Sequence, residues 1–439
     1  MPRNWSNIPF APARLPFFYG WVLLAAATIG IVASIPGQTM GVGIFTDFLI
    51  EVLGLTRSQL SLAYALGTIC SGFLLPLAGT WLDRYGVRVT GSIAAIGLGL
   101  SLILLSQAIH ILDMLPISRP LGPFLVIFVC FLCLRFFGQG CITMAARVAI
   151  GKWFDKRRGR AVALMGIVTA FSFNASPNVL NYLVRTYEWN GAALIMAGLV
   201  GIGMTAITLL FYRDTPEACG LAMDGAAVVV HKEGDPTPAP PTVRDFSRSE
   251  AARTLAFWAY SFGPAAQGLV MTAITFHMAS IGAEAGLDRE AAYALFIPMA
   301  FISVASNTIG GWLSDRIELK WILGFMMVMQ AGGIVGLSAL DSSAGRILFF
   351  IGHGAAGGLF AVLTTVPFPR YFGRTHLGAI SGLNMSIMVF ASALGPYLFS
   401  AGMDYFGSYR AVTLACLIMP VIIAVLGWIA RDPQRMHVD

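Results

Sequence analysis

Arg135 is the residue that asks most of its surroundings. It stands thirteen residues into an apolar run at 122–146, roughly 20 Å along a helix rising 1.5 Å per residue. A guanidinium that far from both ends must face a cavity, a counter-charge or backbone carbonyls, because hydrocarbon satisfies none of its donors. Two chemistries fit: a positive potential offered to an anionic substrate, or a structural anchor in an ion pair or on carbonyls. Asn174, Asn178 and Asn181 form a second polar feature. Their i, i+4, i+7 spacing sets three amides on one helix face, and Pro177 among them frees a carbonyl one turn back. Such a stripe needs partners or water, so it reads as a hydrogen-bonding cavity wall or as an interhelical seam. Pro36-Gly37-Gln38-Thr39 breaks another apolar run with polar groups, as in the discontinuous helices that build transporter sites; Gln38 is its candidate binding side chain. His277 and His353 place imidazoles inside apolar runs. With an ordinary pKa of about 6.5, each suits a proton carrier or a neutral structural donor. Asp47 is an alternative proton site, or a solvated helix end.

A longer pattern occurs twice. Gly79-Thr-Trp-Leu-Asp83-Arg84, followed by Gly86 and Arg88, recurs as Gly311-Trp-Leu-Ser-Asp315-Arg316. A small residue one turn before the aspartate lets a neighbouring helix come close. The carboxylate can then accept hydrogen bonds from an adjoining helix N-terminus, helped by its dipole. Charges that only set topology are the simpler alternative. Trp153-Phe154 with Arg158-Gly159 is echoed by Tyr371-Phe372 with Arg374, and Pro177 by Pro396. The offsets of 232, 218 and 219 residues point to a duplicated unit.

The elements that must position these groups follow from composition. The chain has 439 residues, 57% hydrophobic and 11% charged, with a mean hydropathy of +0.75. Soluble proteins carry about 25% charged residues, so an ordinary soluble globule is excluded. Apolar runs long enough for a ~30 Å hydrocarbon core predict spans at 19–45, 58–81, 90–111, 122–146, 159–184 and 190–212. Six more follow at 255–281, 290–313, 320–340, 344–367, 376–402 and 410–430. The expected fold is an all-α integral membrane protein, twelve transmembrane helices in two six-helix pseudo-symmetric bundles. The domains are 1–212, a cytoplasmic linker at 213–254 with Pro236, Pro238, Pro240 and Pro241, and 255–439. The six cysteines, five of them in apolar segments, read as helix-packing residues rather than a disulfide framework.

Charge placement sets orientation. Of 28 lysines and arginines, twenty fall on the side shared by both termini and the linker and six on the other, with Arg135 and Arg147 inside span 4. The positive-inside rule makes both termini cytoplasmic, and the net charge of +6 reflects topology rather than nucleic-acid binding. The alanine-rich, short-loop sequence points to a bacterial inner membrane. Lys152, Lys156, Arg157, Arg158 and Arg160 crowd one loop, where they serve topology or contact anionic headgroups.

Gly79-x-x-x-Asp83-Arg84-x-Gly86-x-Arg88 and Arg135-x-x-Gly138-x-Gly140, within twelve spans and a central linker, resemble the loop 2–3 and span-4 signatures of the major facilitator superfamily. The resemblance implies the major facilitator fold, a functional monomer and a conformational latch that stabilises the outward-facing state. Its residues are Gly79, Asp83, Arg84, Gly86 and Arg88, with Asp315 and Arg316 as a weaker second copy. The superfamily's span-4 arginine is often structural or coupling-related. A finer resemblance is to the oxalate/formate antiporter and monocarboxylate porter branch. It rests on Lys152-Trp153-Phe154, Arg158-Gly159-Arg160-Ala161, Arg213-Asp-Thr-Pro216-Glu217, Phe257-Trp258, Phe276-His277 and Tyr371-Phe372-Gly373-Arg374. The branch commonly keeps a substrate-pairing arginine four residues before the glycine that here is Gly311; this chain has Asn307 there. Span 11, which carries a lysine in dicarboxylate antiporters, has no charge between Leu377 and Gly402. A dicarboxylate exchanger is therefore disfavoured.

The expectation is a secondary active transporter for a small organic anion, a monocarboxylate foremost. It would work by alternating access to a midplane cavity between residues 1–212 and 255–439. The substrate-binding candidates are Arg135, Asn307, Asn174, Asn178 and Gln38; the proton-coupling candidates are His277, His353 and Asp47. Proton symport is favoured over uniport because the membrane potential opposes an anion by about 2.3 kcal/mol per charge per 100 mV. Anion exchange, and transport or export of a neutral or amphipathic compound, are the alternatives. No enzyme is expected, since GxxxxGK[ST], HExxH and GxSxG are missing from the sequence. No cofactor or metal is expected either.

Overall fold

The computed structural model describes residues 5–114, 121–226 and 244–435. Arg3, Arg119, and the linker segment 227–243 with Lys232 and its four prolines lie outside the described residues. Among the described residues the secondary structure is all helical. Nine helical stretches among the described residues are long and apolar enough to cross a membrane. Two of these, Arg57–Ser106 and Arg158–Phe211, each hold two spans joined without a loop. Non-helical residues at Gly86 and Glu188 break them. Leu255–Glu284 supplies span 7, which completes the twelve expected helices. Their outer faces carry large apolar side chains such as Phe73, Leu100, Ile202 and Val328, as contact with lipid requires.

Contacts divide the chain into two compact units. One holds Met1–Trp153, Val168–Val228 and Ser381–Ser386; the other holds Phe154–Ile167, Val229–Ile380 and Ile387–Asp439. Each unit thus takes a short stretch from the opposite half of the sequence, the start of span 5 in one case and part of span 11 in the other.

In the first unit two helices are locally irregular where the polar residues lie. Span 1 runs as an α-helix over Gly20–Ala33, tightens into a 3₁₀ turn at Ile35–Gly37 and restarts at Thr39–Gly43. Pro36 has no amide hydrogen to continue the ladder, so the break falls where the sequence places it. Span 4 is α-helical over Leu121–Leu134, π-helical over Arg135–Ile142 and α-helical again over Thr143–Trp153. The two irregular stretches cross at glycines: a Cβ on Gly37 would lie 2.8 Å from the Cα of Gly138 and 2.3 Å from the Leu134 carbonyl oxygen. Only hydrogen on both Cα atoms permits that approach. At the far end of span 6, Arg213 is buried and donates to the carbonyls of Leu210 at 2.9 Å and Tyr212 at 2.8 Å. Trp153 Nε1 donates to the Arg213 carbonyl at 2.9 Å. These contacts tie the ends of spans 4 and 6 together.

The second unit is built on an apolar core in which Val270, Ile274, Ile334, Phe349 and Phe399 are buried. Its entry into span 7 is set by a capping box at Ser247 and Glu250 and by Thr254, whose hydroxyl accepts from Phe257 N. Spans 5 and 8 meet there at Gly159 and Gly311. A Cβ on Gly159 would stand 1.9 Å from the Gly311 carbonyl oxygen.

Candidate functional site

The crossing of spans 1 and 4 brings Arg135 onto the broken helix. Its side chain is 2% exposed, and Nη1 donates to the Gly37 carbonyl at 3.3 Å and to Thr39 Oγ1 at 3.4 Å. The guanidinium lies 5.2 Å from the centroid of Tyr64, a cation–π contact, and Tyr64 donates its hydroxyl to the same Thr39 oxygen at 2.8 Å. Tyr64 is held edge-on by Phe131 at 5.6 Å. No carboxylate pairs with Arg135 among the described residues, and its buried Nε has no hydrogen-bond partner there. A π-helical turn, a broken helix and a buried cation without a counter-charge therefore coincide. Thr39 and Tyr64 were not singled out from sequence. The signal for Thr39 was its place in the broken segment. Tyr64 carried none beyond being an aromatic with a polar tip. Gln38 turns instead to Ser34, donating from Nε2 to Oγ at 3.0 Å. Arg147, further along span 4, is part-buried and has no ion pair among the described residues.

In span 5, Asn178 and Asn181 are exposed, so neither forms an interhelical seam. The side chain of Asn174 lies outside the described set. The buried polar contact of this stretch belongs to Ser176, whose hydroxyl lies 3.3 Å from Met40 Sδ and donates to the Phe173 carbonyl at 2.8 Å. Asn307 is 3% exposed and belongs to the second unit. Its Nδ2 donates to the Ala163 carbonyl at 3.0 Å. The amide is lodged where a Cβ on Gly166 would be, 2.0 Å from Nδ2. Its Oδ1 has no partner among the described residues.

The two histidines differ. His277 is half-buried, with Nε2 at 3.0 Å from the Pro396 carbonyl and Nδ1 at 3.2 Å from the Tyr409 hydroxyl. A carbonyl only accepts, so the neutral ring carries its proton on Nε2 and takes the Tyr409 hydroxyl on Nδ1. Its ring stacks on Phe399 at 6.4 Å. His353 is 1% exposed, and neither ring nitrogen has a partner among the described residues. Gln267 Oε1 and both polar atoms of Gln330 are buried and orphaned in the same unit. Gln267 Nε2 reaches the His353 carbonyl at 3.4 Å. Asp47 is paired with Arg57 at 2.5 Å, both side chains strongly exposed.

The duplicated aspartates are also placed. Asp315 accepts from the backbone amides of Gly159 at 2.8 Å and Arg160 at 3.2 Å, at the N-terminus of the span-5 helix. Burial pushes its carboxyl above the ordinary value even though these amide hydrogen bonds pull the other way. Arg316 stacks on Trp312 at 3.6 Å. In the first unit Asp83 lies 4.0 Å from Lys152 Nζ, both nearly buried, while Arg84 is exposed beside Tyr85. Arg88 is buried, with Nη2 on the Leu209 carbonyl and its amide 3.3 Å from Asp214 Oδ1. Gly86 holds φ +83°, and a Cβ there would strike Asp214 at 2.2 Å. No other residue type fits that turn.

Comparison with known proteins agrees with this architecture. Monocarboxylate transporter 11 of Homo sapiens is 24% identical over 404 residues, covering 90% of this chain and 79% of its own length. Monocarboxylate transporter 12 of Homo sapiens is 25% identical over 325 residues, and the match spans 59% of that protein and 66% of this chain. A Cupriavidus necator protein named "Probable sulfoacetate transporter SauU" is 22% identical over 389 residues, 86% of this chain and 80% of its own. Among solved structures, the human organic anion transporter MFSD10 aligns with a TM-score of 0.65 at 12% identity, over 94% of this chain and all of that one. The proton:xylose symporter XylE aligns at 0.63 and 15% identity, over 93% and 95%. At such identities these structures speak for the fold alone. The sequence profile of the Major Facilitator Superfamily matches residues 22–344 and 299–439. With twelve helices, the duplicated glycine–aspartate–arginine pattern and that match, the chain belongs to the major facilitator superfamily and is a transporter resembling its monocarboxylate porter branch.

Proposed function

We propose that this transporter moves a small organic anion, a monocarboxylate foremost, by alternating access and together with a proton. The observation that carries the reading is Arg135. A buried guanidinium normally has a carboxylate partner, because an unpaired charge in low dielectric is costly. Here its partners are a carbonyl, a hydroxyl and an aromatic face. A site of that kind has donors to spare and no negative charge, and a substrate carboxylate supplies what is missing. Asn178 and the broken segment at Gln38 add hydrogen-bonding capacity, and Asn174 stands four residues before Asn178 in span 5. The relatives named as monocarboxylate and sulfoacetate transporters are consistent with a carboxylate or sulfonate head. Protonation of an imidazole would neutralise the charge carried against the membrane potential. His277 and His353 are the two imidazoles that this role requires to be tested. The charge bias supports cytoplasmic termini, and the alanine-rich, short-loop sequence supports a bacterial inner membrane.

The test is uptake of a radiolabelled monocarboxylate panel into proteoliposomes, with and without an inward proton gradient. Accumulation that follows the gradient supports anion–proton symport. Uptake that needs a trans anion instead identifies an exchanger. Absence of any carboxylate transport by folded protein would reject the reading. A second reading, transport of a neutral or amphipathic compound, is favoured by one observation. Asn307, at the position of the branch's arginine, is neutral and engaged with the Ala163 carbonyl.

A further inference from the structure

In the second unit a crevice of about 610 Å³ opens at the end of the helices that carries the chain's C-terminus. The start of span 7, the span 8–9 loop and the ends of spans 10 and 12 enclose it. Four cations, Lys320, Arg370, Arg431 and Arg435, face two carboxylates, Glu318 and Asp432. Glu318 is shared by two of the cations, Lys320 at 2.7 Å and Arg435 at 3.4 Å, and Arg435 also lies 3.9 Å from Asp432. Arg370 is occupied by the Ser314 carbonyl at 2.9 Å. Arg431 has no carboxylate partner among the described residues. The crevice therefore keeps an excess of positive charge, with one guanidinium uncommitted.

Its rim is aromatic. Trp321 and Trp428 pack edge to face at 5.1 Å, both more than half exposed, and the Lys320 ammonium lies 5.8 and 5.7 Å from their ring centroids. Tryptophan at the end of a span marks the headgroup level of a bilayer. From that level Phe325 and Val328 on span 9 and Val425 on span 12 continue as an exposed apolar track. A soluble anion has no use for such a track, whereas a lipid has a phosphate for the crevice and chains for the track. Basic pockets between helices at the cytoplasmic surface are suited to anionic headgroups.

We propose that this crevice binds the phosphodiester headgroup of an anionic phospholipid, with Arg431 and Lys320 as its principal cations and its acyl chains along spans 9 and 12. The proposal is independent of what the protein transports.

Native mass spectrometry of the full-length protein in detergent tests it. The protein is titrated with phosphatidylglycerol, with phosphatidylcholine as the zwitterionic control, and with glycerol 3-phosphate as the headgroup alone. The variants are R431Q and the pair K320Q/R431Q. Since each basic residue near a membrane surface contributes about 1 kcal/mol, the double variant is expected to hold phosphatidylglycerol roughly 30-fold more weakly. R431Q alone, an exposed side chain without a partner to disrupt, is expected to lose roughly fivefold on the same basis. Phosphatidylcholine binding should not change with either. Equal retention of the two lipids by the wild type, or variants within twofold of it, would overturn the proposal. Glycerol 3-phosphate binding as tightly as the lipid would overturn it too, leaving a small-anion site. Elution and thermal unfolding of lipid-free R431Q matching the wild type would show that any loss is not misfolding.

Discussion

Replacing Arg135 with glutamine separates an anion-binding arginine from an anchoring one. Among the described residues Arg135 makes two hydrogen bonds, at 3.3 and 3.4 Å, both longer than the usual 2.7–3.2 Å range for such donors. Both acceptors are neutral. Glutamine keeps an amide donor and removes a buried charge that lacks a counter-ion, so the folding free energy should change by less than about 1 kcal/mol. A substrate carboxylate would lose a charge-assisted hydrogen bond worth about 1.5–3 kcal/mol. That is a rise of roughly 10- to 150-fold in the half-saturating concentration. Arg135→Lys keeps the charge but gives up the planar fork and the stacking on Tyr64, so it should fall between the two. The assay is initial-rate uptake of a monocarboxylate in proteoliposomes, with thermal unfolding of the same preparations. Uptake within twofold of wild type in the glutamine variant would refute the anion-binding argument. A collapse of thermal stability with half-saturation unchanged would instead assign Arg135 to anchoring span 1 on span 4.

Other consequences follow from particular contacts. Gly311→Ala would put a Cβ 2.5 Å from the Gly159 carbonyl oxygen and 2.9 Å from Ala163 Cβ. Overpacking of this kind costs about 1–3 kcal/mol, so a lower melting temperature and reduced uptake are expected, and wild-type values for both would contradict the crossing. His353→Leu removes two buried ring nitrogens that have no partner among the described residues. Melting should be unchanged or higher while gradient-driven accumulation is lost; retained accumulation would exclude His353 as the proton carrier. Asp245 caps the loop after span 10, accepting from Arg374 N at 2.7 Å, Thr375 N at 3.1 Å and Thr375 Oγ1 at 2.6 Å. Burial pushes its carboxyl up, but the Thr375 and Arg374 hydrogen bonds outweigh that and hold it below its ordinary value. Its contribution is therefore full above about pH 3.9, the ordinary value, and disappears as pH falls through the lower folded value. Asp245→Ala should melt earlier than wild type at pH 7, with the gap closing in strong acid; a gap independent of pH would show that the charge is not what caps the loop.

Much of this protein was legible from residue order. Apolar runs of about twenty residues, separated by short charged loops, can only be spanning helices, because lipid leaves backbone groups no other partner. The duplication, the aspartate after a helix-crossing glycine, and the cost of Arg135 in mid-span are equally local facts. What surrounds Arg135 is not local. Its partners lie 96 and 98 residues away on span 1. They meet it because two irregular helices cross at Gly37 and Gly138, where neither has a side chain to hold them apart. The resemblance to the branch put Asn307 among the substrate ligands by position, and the close packing of spans 5 and 8 engages its amide with a carbonyl 144 residues earlier. Residue order could not distinguish His277, satisfied on both nitrogens, from His353, whose ring nitrogens have no partner among the described residues. The sequence by itself determined that the chain spans a membrane twelve times and where its costly groups fall. Only the tertiary structure decided which of those groups are already satisfied, since that depends on the rotation and crossing points of helices far apart in the chain.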